Sequence, residues 1–154
     1  WLETLQGYGL KPVTVLHGNW DAQSGYAGAL QMLRETPNFS AVLVGNDQMA
    51  LGVLSAFHQH QVAVPGEKSV IGYDDTYESS FFYPSLSTVS LDLDLQGKEA
   101  VRRILASTSG APHPSSILPA RLVIRHSSGA RTEQGKDLQA IAEQLRAIAH
   151  RLAP

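Results

Sequence analysis

The sequence contains no cysteine, which excludes disulfides, thiolate zinc sites and thiol catalysis and leaves nothing that marks an oxidising compartment. The cytoplasm is therefore the default location. No apolar run approaches the roughly 18 residues that a membrane span needs, so no membrane partner is expected. A basic excess is missing as well: 12 Lys and Arg stand against 14 Asp and Glu, a formal net charge of −2. Neutralising the phosphates of DNA or RNA requires the opposite balance, so any nucleic-acid contact has to come from residues outside this stretch. There is also no initiator Met and no signal-peptide pattern; Trp1 to Leu10 reads as the last turns of a helix stopped by Gly7 and Gly9. The expectation is a piece of a longer protein.

What is present suits one globular domain. The 154 residues are 43% hydrophobic and 17% charged, and a domain of this size buries roughly 70% of its unfolded surface without a staple. Short apolar runs alternate with helix-period segments. Pro12 to His17, Ala41 to Val44 and Ser69 to Ile71 read as strands, each closed by a glycine at Gly18, Gly45 or Gly72. Between the first two, Tyr26, Ala29, Leu30 and Leu33 recur at helical spacing after a cap at Asp21 or Ser24. Between the second and third, Ala50, Val53, Leu54 and Phe57 do the same after Asn46 or Asp47. This order predicts βαβ crossovers and a parallel sheet in an α/β fold, with Val42-Leu43-Val44 buried on both faces. Ser87 to Asp92 reads as a further strand, followed by a helix capped by Asp94 with Gly97, Val101, Ile104 and Leu105 on one face. A loop from Ser107 to Ser116, a last strand from Ala120 to Arg125 and a polar tether from Ser127 to Gly135 come next. Lys136 to Leu152 forms a separate terminal helix.

In open parallel sheets, ligands bind beyond the carboxyl ends of the strands. Gly18-Asn19-Trp20-Asp21, Gly45-Asn46-Asp47-Gln48 and Gly72-Tyr73-Asp74-Asp75 all follow such ends and should face one cleft. A carboxylate accepts from adjacent hydroxyls, an amide both donates and accepts, and an indole face covers the C–H face of a sugar ring. Trp20, Asn46 and Asp74 therefore suit a neutral sugar. A phosphate suits them less, because no Lys or Arg occurs from Val13 to Met32 or from Glu35 to Glu67. Blander roles stay open: Asn46 and Asp47 as helix caps, Asp74 and Asp75 as the polar residues of an Asx-turn, and Trp20 as core.

Enzyme readings find little support. Adjacent Asp74 and Asp75 cannot flank a scissile glycosidic bond, no G-x-S-x-G, H-E-x-x-H or Walker motif occurs, and His58 and His60 point apart on a helix. Neither a metal nor a cofactor is implied. Asn38-Phe39-Ser40 fits a glycosylation acceptor, which without secretion has no consequence.

Asn46-Asp47-Gln48-Met49-Ala50-Leu51-Gly52, Val64-Pro65-Gly66, Val70 to Thr76 and Pro84-Ser85-Leu86-Ser87-Thr88-Val89 together resemble the lac repressor (LacI/GalR) family of bacterial transcriptional regulators. The resemblance runs over essentially the whole chain, including a terminal helix that most members lack. It implies a two-lobed, periplasmic-binding-protein-like (type I) core with a sugar effector in the cleft, preceded by a helix-turn-helix headpiece that contacts operator DNA. Trp20 would then stack on the sugar while Asn46 and Asp74 bond its hydroxyls. Leu91 and Leu93 stand in the segment returning to the other lobe, where the resemblance leads one to expect Gln and Phe; losing the amide removes a hydroxyl partner worth about 1 kcal/mol. Residues 1–126 would be part of the effector-binding core, with 91–118 belonging to or crossing toward the other lobe. Val101, Ile104 and Leu105 would then have nothing to cover and would form an apolar patch. A transport receptor of the same fold is the alternative.

Residues 127–135 would be the linker and 136–154 the oligomerisation helix. Leu138, Ile141, Leu145, Ile148 and Leu152 form a 3-4-3-4 seam of about two heptads, widened by Ala142 and Ala149. The resemblance implies an antiparallel four-helix bundle joining two dimers, so a homodimer or homotetramer is expected; a helix docked on its own domain is the competing arrangement.

Overall fold

The computed structural model describes residues 1–108 and 117–129. Its elements are α1 (Leu2–Gly7), α2 (Ala22–Glu35), β1 (Ala41–Leu43), α3 (Asp47–Gln59), β2 (Ser69–Asp74), a 3-10 turn (Tyr77–Phe81), β3 (Ser87–Leu91), α4 (Leu93–Thr108) and β4 (Ala120–Val123). The strands lie in the order β1-β2-β3-β4. β1, β2 and β3 are mutually parallel, so their carboxyl ends share one edge; β4 returns antiparallel beside β3, with Leu91 opposite Ala120. The fold is the expected α/β class with a mostly parallel sheet.

Local chemistry accounts for the helix boundaries. Asp21 accepts from the Ser24 amide at 2.7 Å and caps α2, and Asn46 Oδ1 accepts from the Met49 amide at 2.9 Å and caps α3. α4 is capped two residues before the expected Asp94, because Asp92 Oδ1 takes the Leu95 amide at 2.8 Å. α2 and α3 meet through glycine. A methyl on Gly25 would lie 2.0 Å from the Met49 carbonyl oxygen, and one on Gly52 would lie 1.8 Å from that of Ala22. The core lies beneath this crossing and against the sheet, with Phe57, Val70 and Leu86 fully buried. Buried Lys68 closes the loop before β1, donating to the carbonyls of Pro37 and Phe39 with its ammonium 4.2 Å from the Phe39 ring centroid.

Further expectations need correction, among them the end of the strand at Gly72, since β2 runs on through Gly72 to Asp74. Pro12 to His17 is extended, with burial alternating residue by residue, yet it joins no ladder. An apolar cleft of about 200 Å³, lined among others by Val13, Val15, Leu16, Leu43 and Val44, lies between this segment and β1. β1 is consequently an edge strand, and Leu43 is 42% exposed rather than buried on both faces. The polar tether expected from Ser127 is fastened at its start. Ser127 is fully buried, its hydroxyl donating to the Val70 carbonyl at 2.6 Å and accepting from the Ser87 amide at 2.7 Å, while its own carbonyl takes the Val70 amide. Gly129 is bonded to Ser69.

α4 buries no residue. Val101, Ile104 and Leu105 are 57%, 64% and 65% exposed, the open apolar face that was expected. Leu138, Ile141, Leu145, Ile148 and Leu152 lie outside the described residues.

Candidate functional site

The carboxyl edge of the parallel strands gathers the polar residues that follow them. Residues after β1 and α1 meet directly: the Asn46 amide nitrogen donates to the Trp20 carbonyl at 3.0 Å, and the indole lies over Gly45, 3.5 Å from where a side-chain carbon there would sit. Trp20 is 69% exposed, so the core role left open by the sequence does not hold. Asn46 does cap α3, and its amide is partly committed. After bonding Met49 and Trp20 it keeps one N–H and one lone pair.

Asp74 ends β2, opposite Ser90 in the register, so Leu91 and the start of α4 at Leu93 leave β3 at the same edge. Its carboxylate is exposed and has no hydrogen-bond donor among the described residues. Partial withdrawal from water, and then the nearby Asp47 charge, hold its pKa above the ordinary value. Leu91 is half-buried and Leu93 is 69% exposed. Neither supplies a polar group; both present apolar surface.

Backbone strain concentrates at this edge. Among the described residues four non-glycine residues have positive φ, and three of them are Trp20 (67°), Asp74 (115°) and Asp75 (58°). Such conformations cost of order 1–3 kcal/mol each and persist where the surroundings fix them. Here they are fixed. Fully buried Asp47 accepts from the Thr76 amide at 2.9 Å and the Thr88 hydroxyl at 2.6 Å, and its carboxylate lies where a side chain on Gly72 would be. Asp75 pairs with Arg125 at 2.7 Å. Burial opposes ionisation of Asp75, but hydrogen bonds from Arg125 and Ser90 and the charges of Arg125 and Arg121 outweigh it and bring its pKa below the ordinary value.

The sequence puts Asp47 and Asp75 in runs expected to face the cleft, as a possible cap and a turn residue, but gives neither a partner, and it assigns Thr88 and Arg125 no role at the site. Their partners are 41 and 50 residues away, a separation no local pattern reveals. Among the described residues no cluster of His, Asp and Glu could hold a metal, and no helix is long and apolar enough to cross a membrane.

Comparison with known proteins agrees with this architecture. The profile of the periplasmic binding protein-like domain matches residues 1–128. The chain is 40% identical over 154 residues to the lactose operon repressor of Klebsiella pneumoniae and 36% identical to that of Escherichia coli strain K12, covering 99% of this chain. It spans only 43% of the length of either relative. The crystal structure of a lac repressor dimer bound to operator and the anti-inducer ONPF superposes with a TM-score of 0.80 at 38% identity, over 84% of this chain and 46% of that one. A complex of the transcriptional regulator CelR with cellobiose gives 0.75 at 27% identity, over 82% and 40%. The chain thus belongs to the periplasmic binding protein-like domain family, and the proteins it resembles along its length are lactose operon repressors.

Proposed function

We propose that this chain is the effector-binding and oligomerisation part of a bacterial LacI-type transcriptional repressor. A sugar effector binds at the carboxyl edge of the parallel sheet, and its differential affinity for two lobe orientations controls operator binding by an N-terminal helix-turn-helix domain outside this sequence. The protein acts in the cytoplasm as a homodimer or homotetramer, without a cofactor and without catalysis. Residues 1–126 contribute to the effector core, with 91–118 crossing toward the second lobe, and 136–154 join the subunits through Leu138, Ile141, Leu145, Ile148 and Leu152.

The observation that carries this reading is the convergence of an exposed indole, a partly free amide and an unbonded carboxylate on one edge. In it, Trp20 stacks on the sugar ring, Asn46 and Asp74 bond hydroxyls, and Leu91 and Leu93 shape the far wall with apolar contact. Solved relatives support the ligand class: a lac repressor is bound to ONPG and CelR to cellobiose. A transport receptor could share the fold, but the matched relatives are repressors.

The test is a titration of the protein carrying this sequence with ONPG, ONPF, cellobiose and a panel of further sugars, followed by Trp fluorescence. At least one sugar should change the signal of Trp20. Asp74→Ala should raise its Kd by more than about tenfold while operator affinity without sugar stays unchanged. Unaltered sugar binding in that variant defeats the assignment.

A further inference from the structure

The exposed Asp74 carboxylate sits on a backbone that an isolated chain would not adopt, with φ of 115° at Asp74 and 58° at Asp75. Something else holds that turn in place. The Asp75 carboxylate is taken at 2.7 Å by Arg125, which lies just beyond β4; the Arg125 and Asp75 side chains are only 21% and 18% exposed. Arg125 is itself held from three sides. Its other terminal nitrogen donates to the Leu86 carbonyl at 2.8 Å and the Ser79 hydroxyl at 3.3 Å, and its backbone amide donates to the Ser87 hydroxyl at 2.8 Å. Arg125, just beyond β4, therefore ties the turn after β2 to the 3-10 turn and to Leu86 through its guanidinium, and to the start of β3 through its backbone amide.

We infer that the Asp75–Arg125 pair is a positioning device, which acts through the backbone of Asp74 to hold its carboxylate ready for the ligand. This rests on the sugar-binding reading given above. Neither residue needs to touch the sugar. A half-buried ion pair contributes little net stability once desolvation is counted, but a planar guanidinium with several fixed acceptors defines direction well. Pre-forming one wall lowers the ordering cost of binding, and removing the clamp returns that cost to the ligand.

Three variants and two measurements test this. Arg125→Met should weaken binding of whichever sugar the wild type takes from the panel by about tenfold, in a protein that still melts cooperatively. Arg125→Lys, which keeps the charge but loses the fork, should recover part of that loss. Independently of any sugar, amide hydrogen exchange at Asp75 and Thr76 should quicken by about tenfold or more in Arg125→Met and less in Arg125→Lys. Unchanged exchange at those two amides overturns the inference, as does unchanged sugar affinity beside a binding-defective Asp74→Ala. If Arg125→Met does not fold, Asp75→Asn decides by the same two measurements, because Asn tolerates the left-handed backbone. If no sugar binds, or if Asp74→Ala binds normally, the sugar-site reading has failed; the exchange result then shows separately whether the clamp exists.

Discussion

At Asp74 the proposed binding role and the stability of the fold pull in opposite directions. Its pKa is raised, first by partial desolvation and then by Asp47, so the folded chain holds a proton there more tightly than the unfolded one does. Stability contributed by the protonated form is present at low pH and is lost as pH rises through the raised value. Ionised Asp74 is therefore a small burden on the fold at neutral pH. Asp74→Asn should raise the melting temperature slightly at pH 7 while weakening sugar binding, a pairing that thermal melts and a fluorescence titration would detect. In the wild type, sugar affinity should decline as pH falls, with a midpoint above the ordinary aspartate value of 3.8. A midpoint at or below 3.8 would show that another group supplies the acceptor.

The two glycines between α2 and α3 set how closely those helices approach. Because a methyl on Gly25 would fall 2.0 Å from a backbone oxygen, no rotamer change can relieve it. Gly25→Ala should cost about 3 kcal/mol, measurable by denaturant unfolding, whereas Gly97→Ala on α4, with open space around it, should be neutral or slightly stabilising. Elements of this kind were legible in the sequence wherever their cause is local. Asp21 and Asn46 announce their helices, and apolar runs announce β1 and β2, although β2 continues through Gly72 to Asp74. The segment from Pro12 to His17 reads identically and is no strand, because a ladder needs backbone on its flank and composition cannot report whether it is there. The site divides the same way. Trp20, Asn46 and Asp74, the residues proposed for the ligand, stand just after apolar runs and are conspicuous there; the cross-chain contacts of Asp47, Thr88 and Arg125 leave no such local mark.

For the whole molecule, α4 and the tail matter most. An apolar face as open as that of Val101, Ile104 and Leu105 is unusual on an isolated soluble domain. If residues 136–154 join dimers, removing them from the protein that carries this sequence should halve its mass in sedimentation equilibrium, and an unchanged mass would rule out the bundle. The anchoring of Ser127 to Val70 and Ser87, and of Gly129 to Ser69, bears on such assembly. Those bonds are at the amino ends of β2 and β3, and Asp74 lies five residues along β2 from Ser69, about 17 Å of extended backbone. Gly129 thus lies at the end of the sheet opposite Asp74, so a small molecule reaching the proposed cleft would not have to pass this anchor.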